Sequence, residues 1–465
     1  MTFLLSPLRL SLLSAVASAA LLSACTAGAP QPGQFTDQAY VDAQNPNFAP
    51  NGAPPAHPQP LAAYTNFAAG SAEKAAPVQV GQPNLDASRW LKTHMTTPST
   101  FRHDKVKPGI YKQDGTLWMG RGAVITDTRG CDSCTMQDSN PTEAMRRIDY
   151  LVDVQHVTFI RLMLMSFSSP TQFGYYADRK SWESVLFDDS YMQATKQIID
   201  YIGTKPNVYV LLTLWRDQSF GDHLMPTLDS ATAPGTQCDA LQAQHVATTS
   251  CVWRKLATVF KDYPYVMYGL TDEYGGNYEG SVDGPLWNVY NALTQVVRNV
   301  EAEQKSPSHI VAVQATRKWA RSLEYYANTD SHGKVISWHP ILAGRGENVV
   351  YEAHPYGDTT QYRGWFYKAN RFLPVIIGEM GPAFADSYNP ATDPMTDQQL
   401  ASTKALIHHC EGAHLPYLAW ALASRCGSMS MTQEDNNHLC DGLAPQSFSL
   451  LPWGTWYFEH MGHAN

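Results

Sequence analysis

The sequence predicts a (β/α)8 barrel, preceded by an export signal and a disordered tether. Three observations carry this. From about residue 108 onward, short apolar runs recur eight times, most of them β-branched, as strands buried on both faces of a parallel sheet require. Stretches with apolar residues at helical spacing lie between them. The alternation of strand and helix extends over roughly 350 residues, which suits a barrel with insertions. A doubly wound open sheet is the competing architecture. It would carry a Gly-rich turn after its first strand, whereas Gly120-Arg121-Gly122 lies before it here.

The strand candidates are Gly122–Thr126, Val157–Leu164, Val208–Trp215, Val266–Glu273, Ile310–Ala315, Val349–Tyr356, Pro374–Met380 and Tyr417–Leu422. Among the helix candidates, Asp188–Gly203 carries Tyr191, Ala194, Ile198 and Ile199 on one face. Val252–Lys261, Leu286–Gln304 and Gln398–Gly412 show similar stripes, and Asp397 is the expected cap of the last.

The regions before the barrel read differently. Arg9 precedes an apolar stretch, Leu10 to Leu22, that is too short to span a bilayer comfortably. With Leu22-Ser23-Ala24-Cys25 after it, residues 1–24 read as a bacterial lipoprotein signal and Cys25 as the acylated residue; an ordinary signal peptide cleaved nearby is the alternative. Ala27, rather than Asp, leans the address toward the outer membrane. Residues 25–105 read as a tether rich in Pro, Ala and Gly, with Trp90 the first candidate for order, and residues 106–465 as the catalytic domain.

The chain has 465 residues, 44% of them hydrophobic, and a formal net charge of -9. Such a charge, with no basic patch, argues against nucleic acid. A monomer is expected. An exported chain meets an oxidising compartment. Local pairing therefore gives Cys131–Cys134, Cys238–Cys251 and Cys426–Cys440, with Cys410 left free. Zinc is the competing reading of Cys131-Asp132-Ser133-Cys134, but a second ligand pair at suitable spacing is missing. His408-His409, on a helix, reads as a surface pair. Ser elbows, phosphate loops and zinc-binding helices are not evident, and no cofactor or metal is expected.

In a barrel the active site lies at the C-terminal ends of the strands. The fourth run ends Thr271-Asp272-Glu273 and the seventh ends Ile377-Gly378-Glu379. Each Glu directly follows a buried run, where a charge is costly without work or partners. Two carboxyls across a barrel mouth are the equipment of glycoside hydrolysis, one protonating the leaving oxygen and the other attacking the sugar or activating water.

Trp253 to Glu273 resembles the helix, strand and acid/base stretch of glycoside hydrolase family 5, the cellulase family, whose clan carries catalytic glutamates on strands four and seven. Pro374 to Gly381 is similar to its nucleophile strand, and Tyr351-Glu352-Ala353-His354-Pro355-Tyr356 to its His-x-Tyr strand. Phe159-Ile160-Arg161-Leu162 resembles the strand-two arginine stretch, and Leu418-Ala419-Trp420 the strand-eight tryptophan. The resemblance implies Glu273 as general acid/base and Glu379 as nucleophile of a retaining enzyme. It implies that Arg161 pairs with Glu379 and keeps it ionised, that Tyr356 hydrogen-bonds it, that His354 sits near Glu273, and that Trp420 floors the sugar. Oligosaccharide or polysaccharide is the implied substrate, cellulose-like or mannan-like.

Three positions depart from the family pattern. Asp272 stands where the family usually has Asn, and an ionised Asp can only accept hydrogen bonds. Trp215 ends the third strand where His is usual, and is expected to bind substrate. Tyr274 replaces the usual Pro. Asp217, His223, Asn277 and Trp319 are further loop candidates for sugar contacts. The competing functions are a non-catalytic surface glycan-binding protein, motivated by Asp272 and Trp215, and a transglycosylase or exo-β-glycosidase on the same barrel.

Overall fold

A computed structural model describes residues 80–99, 105–128, 140–164, 181–215, 238–244, 247–274, 280–356, 359–382, 395–423, 430–433 and 448–463. Eight parallel strands close into a barrel: β1 (Arg121–Thr126), β2 (Phe159–Leu164), β3 (Tyr209–Leu214), β4 (Val266–Gly269), β5 (Val311–Gln314), β6 (Val349–Ala353), β7 (Val375–Ile377) and β8 (Tyr417–Ala419). Each pairs with the next in sequence, and β8 returns to β1 with Tyr417 opposite Arg121 and Ala419 opposite Ala123. All eight sequence candidates are strands. The expected ends run too far, because Leu270 to Glu273 and His354 to Tyr356 lie beyond the ladder.

Every residue of β2 and β3 is buried. Side chains alternate between the barrel interior and the helical layer, so apolar residues recur without a break. Gly122 lets β1 and β2 approach. A Cβ there would lie 1.7 Å from the Phe159 carbonyl oxygen.

The helices start where polar caps meet apolar stripes. Asp188 accepts the Tyr191 N–H at the start of Asp189–Thr204. Thr248 caps Thr249–Val259, which begins three residues earlier than the stripe predicts. Asp397 is not the cap of Asp397–Ala413. Thr396 is, in a capping box with Gln399, and Asp397 is the first helical residue. The eightfold strand–helix alternation also needs correction after β5. There an antiparallel ribbon, Ala327–Thr329 against Val335–Trp338, takes the helix's place. Its turn is set by Asp330, whose side chain accepts the N–H groups of His332 and Lys334, and by Gly333 at φ +80°.

The folded part starts earlier than residue 106. Ala87–Arg89 form a short 3-10 turn, and Lys92–His94 pair antiparallel with Gly109–Tyr111. Arg89 is buried against the N-terminal end of β3, donating to the carbonyls of Asn84 (3.0 Å), Gly203 (3.3 Å) and Val208. Its guanidinium lies 4.4 Å from the Tyr265 ring centroid. Polar composition hid this segment, since its anchor is one cation satisfying backbone carbonyls.

Cys238–Cys251 is a disulfide with Cα atoms 5.4 Å apart, and Cys410 is free and buried, both as expected. Cys25, Cys131, Cys134, Cys426 and Cys440 lie outside the described residues. Among the described residues no helix is long and apolar enough to cross a membrane.

Replacing Arg89 by Ala removes the donor to carbonyls at the barrel floor. We expect a stability loss of about 2–3 kcal/mol in urea unfolding. A loss below roughly 0.5 kcal/mol would mean that residues 80–99 only rest on the barrel.

Candidate active site

The C-terminal mouth of the barrel is built around Arg161. It sits in the middle of β2, points inward and is fully buried. Its Nη2 contacts Asp272 Oδ1 at 2.7 Å and Glu352 Oε1 at 3.2 Å, its Nη1 donates to Glu379 Oε1, and its Nε donates to Thr213 Oγ1 at 3.2 Å. Three carboxylates from three parts of the chain thus meet one guanidinium.

Glu352, His354 and Tyr356 alternate inward from β6. His354 Nε2 lies 3.0 Å from Glu352 Oε1, while its Nδ1 lies 3.0 Å from Glu273 Oε1 and 3.6 Å from Glu379 Oε2. The Tyr356 hydroxyl donates to Glu379 Oε2 at 2.9 Å. One ring nitrogen therefore bridges both predicted catalytic carboxyls, which face a single small space. The loop after β5 holds the histidine's backbone, through a 2.9 Å bond from the His354 N–H to the Ala320 carbonyl. That loop makes a left-handed turn over Lys318, Trp319 and Ala320.

Glu273 itself has a left-handed backbone, φ +43°, and its N–H donates to Gln314 Oε1 at 2.5 Å. Such a conformation persists only where neighbours over-determine it. The Gln314 side-chain amide also donates to Asp272 Oδ1 at 3.2 Å, and the Gln314 backbone carbonyl accepts the Tyr326 hydroxyl at 3.0 Å. Gly378 gives Glu352 its room. A Cβ there would lie 1.9 Å from Glu352 Oε1.

Trp215 and Trp420 are half-buried and meet edge to face, ring centroids 6.2 Å apart. The Trp453 indole N–H holds the Trp420 carbonyl at 2.9 Å. All eight predicted catalytic and sugar-binding residues thus lie at this end of the barrel. Asp217, His223 and Asn277 lie outside the described residues.

The electrostatics follow from burial. Four carboxyls, Glu273, Glu379, Asp272 and Glu352, face two cationic side chains, Arg161 and His354. Burial raises the Glu273 carboxyl, with His354 pulling against it and Asp272 adding to the rise. Burial likewise pushes Glu379 up, to about 8, and Asp272 outweighs part of what His354 and Arg161 return. Arg161 pulls the Glu379 carboxyl down, as the resemblance implies, but burial and Asp272 outweigh it. The pair is present, but the net direction is upward. Burial opposes a charge on His354, yet the facing Glu379, Glu273 and Glu352 hold its pKa at about 10. Asp272, His354 and Glu379 offer ligand atoms within 4.8 Å of one another. Arg161 already supplies the positive charge to both carboxylates there.

Reading residues at strand ends missed Gln314 and Glu352. Gln314 is the polar residue that ends β5, a signal of the same kind as the two glutamates. Glu352 is an acid inside an apolar strand, and the alternation that turns His354 and Tyr356 inward turns it inward too.

No curated protein matches this sequence. Solved structures match its fold. A β-glucanase from Saccharophagus degradans, solved with cellotetraose, is 14% identical over 84% of this chain and 98% of its own, with a TM-score of 0.51. A cellulase matches at 13% identity over 82% and 96%, TM-score 0.51. A family 5 cellulase from an Icelandic hot spring isolate matches at 13% over 83% and 98%, TM-score 0.50. The family described as cellulase (glycosyl hydrolase family 5) matches residues 121–425, from the first barrel strand to just beyond the last. The chain belongs to glycosyl hydrolase family 5, the cellulase family.

Proposed function

We propose that this glycoside hydrolase is a retaining, endo-acting β-glycanase of the cellulase or mannanase kind, with Glu379 as nucleophile and Glu273 as general acid/base. The observation that carries the reading is the convergence of both carboxyls on His354 Nδ1, 3.0 and 3.6 Å away. Interacting carboxyls titrate as a pair, so over a range of pH the two share one proton. Glu379 has two donors aimed at it, Arg161 and Tyr356, whereas Glu273 has the His354 nitrogen. The anion settles on Glu379 and the proton on Glu273.

Glu379 then attacks the anomeric carbon while Glu273 gives its proton to the departing oxygen. This leaves a glycosyl ester on Glu379. Glu273, now a carboxylate, takes a proton from water as that water attacks the same carbon and frees Glu379. Asp272 accepts a hydrogen bond from a sugar hydroxyl instead of donating one. Both of its protein contacts among the described residues fall on Oδ1, which leaves Oδ2 for the sugar. Trp420 and Trp215 form the stacking walls. The signal and Cys25 support a chain anchored by lipid to the cell envelope, at the outer membrane, acting on glycan outside the cytoplasm. The convergence of both glutamates counts against a non-catalytic glycan-binding role.

Two outcomes are expected. Glu379→Gln lowers kcat on β-glucan or β-mannan by roughly 10³-fold or more, and the first product seen by proton NMR keeps the β configuration; an inverted first product rejects the nucleophile role. Asp272→Asn removes an anion that raises both carboxyls. Their protons then leave more easily, and the alkaline limb of kcat/KM moves to lower pH by up to about one unit. An unmoved or raised limb would contradict the electrostatics.

A further inference from the structure

The buried acid on β6 has a chemical consequence beyond the two-glutamate reading. An imidazolium carries an N–H on each ring nitrogen, and its neighbours decide how firmly each proton is held. At His354 Nε2 two neighbours compete. The Glu352 carboxylate, 3.0 Å away, can only accept, so it favours N–H. The Gln314 amide nitrogen, 3.4 Å away, can only donate, so it favours a bare nitrogen. Glu352 is nearer and charged, and the Gln314 amide is already engaged with Asp272.

Glu352 is costly to keep. It is fully buried, and its second oxygen has no hydrogen-bond partner among the described residues. It also requires Gly378, the residue immediately before Glu379. An apolar side chain would fill the same space without a charge. Burial pushes its carboxyl up, but Arg161 and His354 outweigh this, and the net direction is down.

Resting on Glu273 as the acid/base, we infer that Glu352 is a positioning residue that accepts a hydrogen bond from the His354 Nε2–H and so keeps the ring cationic, with an Nδ1–H aimed at Glu273 to hold the charge left when Glu273 gives up its proton. The other groups around this ring are Glu379 from beyond β7, Asp272 after β4, Gln314 from β5, Arg161 from β2 through Glu352, the Tyr356 hydroxyl through Glu379, and Arg321, whose charge also bears on Glu273. Of the carboxylates hydrogen-bonded to the imidazole among the described residues, only Glu352 meets Nε2.

The test uses the full chain labelled with nitrogen-15 histidine, with the His354 signals assigned by their loss in His354→Gln. In the wild type, Nε2 carries a proton throughout the neutral range. In Glu352→Gln the ring loses this counter-charge, and its proton leaves at a pH lower by about one unit or more. In kinetics, Glu352→Gln slows β-glycosides with poor leaving groups by roughly tenfold or more, part of the 10²–10⁴ that a positioned acid supplies. Nitrophenyl glycosides, whose leaving group needs no proton, stay within about threefold. A bare Nε2 in the wild type overturns the inference, and that measurement needs no variant to fold. A variant whose ring gives up its proton at the same pH as the wild type's and that slows both substrate types equally also overturns it. A wild type that hydrolyses nothing would sink the glycanase reading, while the NMR result would still decide the role of Glu352.

Discussion

The active end of this barrel depends on one buried cation. Arg161 has no exposed surface and touches Asp272, Glu352 and Glu379, which come from the chain beyond β4, from β6 and from beyond β7. A guanidinium stays charged at any working pH and offers a planar fork of donors. It therefore fixes three acids at once, and it does so from the middle of a strand that the sheet holds rigid. Removing it would leave buried carboxylates without compensation, a much larger loss than the worth of any one pair.

What Arg161 cannot do is neutralise the whole cluster. Four acids face two cationic groups, so the site retains protons that isolated carboxyls would lose. That surplus suits an acid/base reaction, which needs one carboxyl protonated and its mate bare. The departure at Asp272 intensifies it, because an Asn there would add no charge. His354 mediates between the acids, with one nitrogen against Glu352 and the other toward Glu273 and Glu379. The same barrel end thus combines fixed charge, held by Arg161, with mobile charge, shared through the imidazole.

The fold was legible because its signals are local. Each barrel strand is a short buried run, and strand polarity dictates that polar residues at run ends share one mouth. Glu273, Glu379, Arg161, His354 and Tyr356 were found on that logic together with family resemblance. The ribbon after β5 was missed because Ala327–Thr329 and Val335–Trp338 are too short to announce a period. The order of the residues just before Trp90 was missed because their anchor, Arg89, acts on carbonyls that composition does not reveal. Glu352 could have been found by following alternation back two residues from His354. The net upward shift of Glu379 could not, since it arises from burial and from acids distant in sequence.

In the proposed reaction Glu379 is the bare carboxylate and becomes covalently bonded to the sugar. Incubation with an activated 2-deoxy-2-fluoro β-glycoside, followed by peptide mapping in a mass spectrometer, tests this directly. One added glycosyl group is expected on the peptide that contains Glu379. A label on the peptide that contains Glu273, with Glu379 unmodified, would contradict it.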